Sequence, residues 1–200
     1  MNTPNKLTVL RMILVPFFVA ALLAGNSLPH HNLVALVLFA VASYTDHLDG
    51  KLARSRNLIT TFGKFMDPLA DKIMVISALV CFVSLDVANV WLVLLIIFRE
   101  FMVTSVRLVA ADSGVVVAAN NWGKAKTVSQ IIAILFILLF QYLLELVSLG
   151  VLPVFTVFGG SAVQWFGFFG NLLLLVATVM AVISGVIYLK QNWKIVAREM

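Results

Sequence analysis

The sequence predicts an all-α, polytopic membrane protein with six transmembrane helices, on three observations. Apolar residues make up 62% of the 200-residue chain, where soluble domains hold about 45–50%. Six runs of mostly apolar residues approach the roughly 20 that carry a helix across a bilayer. Every Lys and Arg falls on one side of the layout those runs define. Mean hydropathy is +1.06 and charged residues are only 12%, which argues against a soluble globular domain. Lipid is the natural solvent for such a chain.

The six runs cover residues 7–25, 33–53, 65–85, 89–110, 127–149 and 168–189. Their connections are short, with no low-complexity tract or internal repeat, so residues 1–200 read as one integral-membrane domain. Lys6 and Arg11 lie at the start of the first span. Lys51, Arg54, Arg56, Lys64 and Lys72 surround the second connection. Arg99 and Arg107 lie in the inner half of the fourth span, Lys124 and Lys126 open the fifth, and Lys190, Lys194 and Arg198 follow the sixth. The connections at 25–32, 84–90 and 150–167 hold no Lys or Arg. The positive-inside rule then puts both termini in the cytoplasm, and an even number of spans independently requires them to share a side. Residues 6–26 have the form of a signal peptide as well, but cleavage would leave five spans and spoil this charge pattern.

The net charge of +5 therefore reads as membrane topology, with no nucleic-acid partner implied. Cys81, the single cysteine, has no partner for an intrachain disulfide and reads as a small core hydrophobe. His30 and His31 sit together in an outer connection without the further ligands a zinc site needs, and a surface position is expected for both. Asp86 and Glu145 lie toward the same outer side and carry no expected chemistry.

Chemistry is expected at four carboxylates. Asp46 and Asp49 are three residues apart, and Asp67 and Asp71 four apart; on helices each pair shares a face. The segment 50–66 is short enough to make the two helices neighbours, which would bring the four acids together. Four carboxylates at one spot raise one another's pKa, and a helix C-terminus opposes the first pair further. Two divalent cations would balance them, held by the hard oxygen ligands that such ions prefer. The bland alternative, solvated acids paired with Lys51, Arg54, Arg56, Lys64 and Lys72, suits any one Asp better than all four.

Asp46-His47-Leu48-Asp49-Gly50-Lys51-Leu52-Ala53-Arg54 is followed after eight residues by Gly63-Lys64-Phe65-Met66-Asp67-Pro68-Leu69-Ala70-Asp71. This resembles the D-x2-D-G-x2-A-R-x8-G-x3-D-x3-D signature of the CDP-alcohol phosphotransferase family and is complete at all eight fixed positions. The segments Pro4-Asn5-Lys6-Leu7-Thr8-Val9-Leu10-Arg11, Arg99-Glu100-Phe101 and Gly123-Lys124-Ala125-Lys126-Thr127 extend the likeness over most of the chain. His47 is the one local departure, at a position often aromatic in the family; a packing substitution is favoured over a ligand.

The resemblance implies the family's six-helix fold in a bacterial cytoplasmic (inner) membrane, a site open to the cytoplasm, and a homodimer. It implies transfer of the phosphatidyl group of CDP-diacylglycerol to sn-glycerol 3-phosphate, with CMP released. Two Mg²⁺ or Mn²⁺ ions would be held by Asp46, Asp49, Asp67 and Asp71, with Asp71 also the catalytic base. Asn5, Thr8, Gly50, Ala53, Arg54 and Gly63 would bind CDP-diacylglycerol. The small residues would form the cytidine wall, although small residues also serve close helix packing, and for Arg11 snorkelling competes with headgroup binding.

Arg99 and Arg107, on one face of the fourth span through Val103, would form a basic pocket for the glycerol phosphate with Lys124 and Lys126. Ordinary inner-face flanking is the competing account and is favoured for Lys126. Glu100 would orient Arg99 or face a neighbouring helix. Membrane phospholipids are the expected surroundings, touched by Lys190, Lys194 and Arg198. A sister activity on the same site, cardiolipin or phosphatidylinositol-phosphate synthesis, differs only in its acceptor. A cation transporter is the rival from another class, but its site would be expected near the membrane midplane.

Overall fold

A computed structural model describes the backbone of residues 3–56, 61–112, 121–153, 156–157 and 160–196. Within these stretches, side chains at 3–7, 26, 46–56, 61–68, 71, 109, 111–112, 121, 156–157, 160 and 194–196 lie outside the described set. The fold is helical: α1 (Thr3–Leu23), α2 (His31–Arg56), α3 (Thr61–Ser84), α4 (Val90–Asp112), α5 (Asn121–Ser148) and α6 (Ala162–Val196). A ribbon of two-residue strands, β1 (Thr156–Val157) and β2 (Gly160–Ser161), pairs antiparallel between α5 and α6. The six expected apolar runs each fall on one helix.

At the ends carrying the Lys and Arg residues the helices run past the limits of the apolar runs. α6 spans 35 residues, about 52 Å at 1.5 Å per residue, because backbone hydrogen bonding continues where the apolar run stops. Two helical stretches, Trp122–Ser148 and Ala162–Trp193, are both long and apolar enough to cross a membrane; Thr8–Leu23, His31–Thr45 and Lys72–Ser84 are shorter apolar stretches among the described residues. Pro16 lies within α1, as membrane helices tolerate when neighbours make good the freed backbone groups.

α1 packs on both α2 and α3, α5 lies against α2 and α6, and α4 packs on α6. α2 and α3 touch only sparingly among the described residues. The ends of α2 and α3 expected to pair, residues 46–56 and 61–68, fall where side chains lie outside the described set; α1 lies against both helices. Phe18 of α1 meets Phe39 of α2 with ring centroids 5.9 Å apart. The core joins these rings to Leu22, Leu79, Phe82, Ile96, Ile134, Leu138 and Leu174. Buried alanines, among them Ala35, Ala42, Ala78, Ala133, Ala177 and Ala181, let the helices approach closely, as they must where lipid removes the hydrophobic drive to associate.

The outer surface is as apolar as the interior. Leu10, Ile13 and Phe17 on α1, Val34, Val37 and Val41 on α2, Leu94, Phe98 and Phe101 on α4, and Leu172, Val176 and Val179 on α6 are exposed. Each set repeats at helical spacing, so each helix carries an uncovered apolar stripe. Exposure on this scale far exceeds the patches of soluble monomers and marks a membrane protein.

Polar side chains secure the ends of the helices opposite the signature. The backbone N–H groups of His31 and Asn32 donate to Oε1 and Oε2 of Glu145, each at 3.0 Å. A carboxylate from α5 therefore satisfies two of the orphan donors that begin α2 and complements the positive end of its dipole. Asn171 of α6 accepts from the Asn89 N–H at 2.9 Å and donates to the Val87 carbonyl at 3.3 Å, tying α6 to the α3–α4 turn. Glu145, expected to carry no chemistry, is thus a structural cap. His30 is exposed as expected. His31 is not: it is drawn in beside Glu145, its Nε2 3.9 Å from Oε1.

Candidate functional site

Asp46, Asp49, Gly50, Ala53 and Arg54 fall on helical backbone near the end of α2, and Gly63, Asp67 and Asp71 near the start of α3. Both halves of the signature are therefore helical, as their three- and four-residue spacings require. Their side chains, with those of Asn5 and His47, lie outside the described residues. Among the described residues no cluster of three or more His, Cys, Asp or Glu could hold a metal. Thr8 and Arg11 of α1 are both buried. Arg11 is thus enclosed by protein instead of snorkelling to water.

The described polar centre is formed by α4, α5 and α6. Arg99 and Glu100 are neighbours on α4, both buried, and their side chains meet at 3.3 Å between Nη1 and Oε1. The same Oε1 accepts from the Lys126 ammonium of α5, also buried. A single carboxylate thus joins two cations from two helices. Lys126 is not the solvated flank favoured from sequence: α5 starts before it, at Asn121, and its side chain turns inward to a carboxylate that needs a second partner. Glu100 does both things expected of it as alternatives, since it contacts Arg99 and faces a neighbouring helix.

The far side of Arg99 rests on α6. Its Nη2 donates to Ser184 Oγ at 2.6 Å. Arg107, two helical turns beyond Arg99, is exposed, with its guanidinium carbon 5.5 Å from the ring centroid of buried Tyr188, within the range of a cation–π contact. Arg107 and Tyr188 lie within electrostatic reach of Arg99, and Lys72 of α3 within reach of Lys126. Lys72 directly follows Asp71 in the sequence. Of the four cations expected to form one pocket, Arg99 and Lys126 meet at Glu100 and Arg107 lies within electrostatic reach of Arg99; Lys124 is exposed and makes no described contact with them.

Ser184 and Tyr188 were not singled out from sequence. The available signal was a polar stripe at four-residue steps, Ser184, Tyr188 and Asn192, on an otherwise apolar helix. Buried polar atoms also remain without partners in this region, among them Arg99 Nε, Gln130 Nε2 and Tyr188 Oη.

A helical membrane protein with a buried cation centre and a paired-aspartate signature is suited to handling phosphorylated substrates at a membrane surface. Residues 1–183 match the CDP-alcohol phosphatidyltransferase family, and the chain belongs to that family. It is 43% identical over 203 residues to the CDP-diacylglycerol–glycerol-3-phosphate 3-phosphatidyltransferase of Bacillus subtilis (strain 168), covering 96% of each chain. A protein of the same name from Rickettsia felis is 31% identical over 94% of each chain. A probable phosphatidylglycerophosphate synthase of Mycobacterium tuberculosis is 44% identical over 68% of this chain and 66% of its own.

Proposed function

We propose that this enzyme transfers the phosphatidyl group of CDP-diacylglycerol to sn-glycerol 3-phosphate, forming phosphatidylglycerol phosphate and CMP. The observation that carries this is the Arg99–Glu100–Lys126 centre in a chain with the complete family signature. Buried cations that outnumber their counter-ion suit an acceptor that bears its own phosphate. The names of the relatives point to the same acceptor.

The primary hydroxyl oxygen of glycerol 3-phosphate attacks the phosphorus that carries diacylglycerol. The bond from that phosphorus to the CMP oxygen breaks, and CMP takes the electron pair. Asp71 accepts the hydroxyl proton, as a carboxylate within hydrogen-bond reach can. Arg99, Arg107 and Lys126 hold the acceptor phosphate, with Lys124 at the entrance. Asn5, Thr8, Gly50, Ala53, Arg54 and Gly63 hold CDP-diacylglycerol, the small residues leaving room for cytidine and Arg54 offering its fork to the diphosphate.

Asp46, Asp49, Asp67 and Asp71 supply the hard oxygen donors that suit two Mg²⁺ or Mn²⁺ ions. Such a pair, when bound, neutralises charge on the diphosphate and on departing CMP. The remaining work belongs to the chain's own residues, which align the two substrates in line.

Six transmembrane helices, both termini in the cytoplasm, residence in a bacterial cytoplasmic membrane and a homodimer complete the proposal. It is supported by the one-sided placement of Lys and Arg and by helices of at least 21 residues, against the roughly 20 that a bilayer requires. The test is purified protein with CDP-diacylglycerol and Mn²⁺ or Mg²⁺, followed by CMP release. Release that depends on glycerol 3-phosphate supports the assignment. Release that ignores it and depends on another alcohol overturns the named acceptor while keeping the chemistry.

A further inference from the structure

We infer that Ser184 and Gly185 of α6, with Glu100 of α4, form a seat that fixes Arg99 beside Lys126 to receive the acceptor's phosphate. This rests on the proposed acceptor-phosphate role of Arg99 and assigns three positioning residues around it.

The proton count at Ser184 sets the direction of its contact with Arg99. A serine hydroxyl has one proton and two lone pairs. The proton goes to the Ala181 carbonyl, 3.2 Å away on the same helix, which leaves the lone pairs to accept from Arg99 Nη2 at 2.6 Å. A hydroxyl bonded to a helix carbonyl is common. One that also receives a buried guanidinium from another helix fixes where that guanidinium lies.

Gly185 provides the space. A Cβ at this position would lie 3.0 Å from Arg99 Cγ and 3.2 Å from Met102 Cε, and 3.8 Å from Arg99 Nε. A Cβ there requires the Arg99 stem and the Met102 methyl to give by a few tenths of an ångström. Serine and glycine together thus set both where the Arg99 stem lies and where its fork points.

Glu100 holds the other side. Its Oε1 takes Arg99 Nη1 at 3.3 Å and the Lys126 ammonium, which keeps two cations together that would otherwise repel each other. Arg99 and Lys126 against Glu100 leave one positive charge unmatched, and Arg107 and Lys72 within electrostatic reach add to it. A cationic excess of this kind suits a phosphate monoester dianion. Arg99 Nε is buried without a partner, a donor still lacking an acceptor, and such groups are rare enough to need a reason. A planar fork already held from two sides also loses little freedom when it takes up phosphate oxygens.

The test compares Ser184→Ala, Ser184→Thr, Gly185→Ala and Glu100→Gln with Arg99→Lys. Initial rates are measured in detergent with each substrate varied in turn. Losing the Ser184 acceptor or displacing the stem is expected to raise KM for glycerol 3-phosphate about tenfold, the scale of a hydrogen bond to a charged group. KM for CDP-diacylglycerol should stay unchanged, and Ser184→Thr, which restores the hydroxyl, should recover the acceptor KM. If Glu100→Gln or Gly185→Ala fails to fold, Ser184→Ala decides alone. An unchanged acceptor KM in Ser184→Ala, where Arg99→Lys raises it, overturns the seat and leaves the acceptor role of Arg99 intact. An unchanged acceptor KM in Arg99→Lys removes that role and the seat with it. A Ser184→Ala variant that only unfolds more easily, with both KM values as in the parent, also overturns the seat.

Discussion

Lys126 near the start of α5 and Glu100 in the middle of α4 form a buried ion pair across the two helices, and Glu100 shares the same oxygen with Arg99. The sharing makes the two partners unequal. Without Lys126, Glu100 keeps a cation; without Glu100, two buried cations lose the charge between them. Glu100→Ala is therefore expected to destabilise the protein by about 3–5 kcal/mol, the cost of breaking a buried pair, and Lys126→Met by clearly less. Thermal unfolding of the purified variants in one detergent checks the order, and equal losses would contradict it.

The signature aspartates provide a second prediction. Asp67→Asn keeps the size of the side chain and removes its charge. CMP release is expected to fall by about a hundredfold or more, the scale of a lost electrostatic contact to the transition state. Elution from a sizing column should not change. A variant with parental turnover would refute the role given to Asp67.

A third concerns the outer cap. Glu145 accepts two backbone N–H groups of α2, so Glu145→Ala is expected to cost about 1–2 kcal/mol, the upper range for a lost helix cap. Glu145→Gln keeps one carbonyl acceptor and should cost less. Unfolding midpoints of the two variants measure the difference.

Topology can be read by chemical labelling. In a Cys81→Ser background, Ser27→Cys should react with a membrane-impermeant maleimide on intact cells. Gln191→Cys, near the end of α6, should react only after the membrane is opened. Both positions are exposed. The reverse pattern would invert the protein in the membrane, and labelling of both on intact cells would break the six-span arrangement.

Much of this was legible in the sequence because it is local. Apolar runs mark the helices, and the eight signature positions fall at fixed intervals along 26 consecutive residues, Asp46 to Asp71. Helix ends were less legible: α6 continues to Val196, seven residues past the last apolar run, since hydropathy reports where lipid stops and not where backbone hydrogen bonding does. Least legible were contacts joining distant segments. Ser184 lies 85 residues from Arg99 and Glu145 lies 113 residues from Asn32. No periodicity shows that two such residues meet. Lys126 is illegible for the same reason: beside Lys124 it looks like a basic flank, and only the packing of α5 on its neighbours turns it inward.

The Glu145 cap has a consequence at the opposite face of the protein. It rivets the first turn of α2 to the last turns of α5, and α2 extends from that rivet as a lever arm. His47, between the first two signature aspartates, lies 16 residues along from His31, about 24 Å at 1.5 Å per residue. A tilt of roughly 3° about the rivet would swing that end by a little over 1 Å, a displacement that can cost an enzyme about a hundredfold in rate. A carboxylate far from the chemistry thus helps set how accurately the reacting groups are aimed.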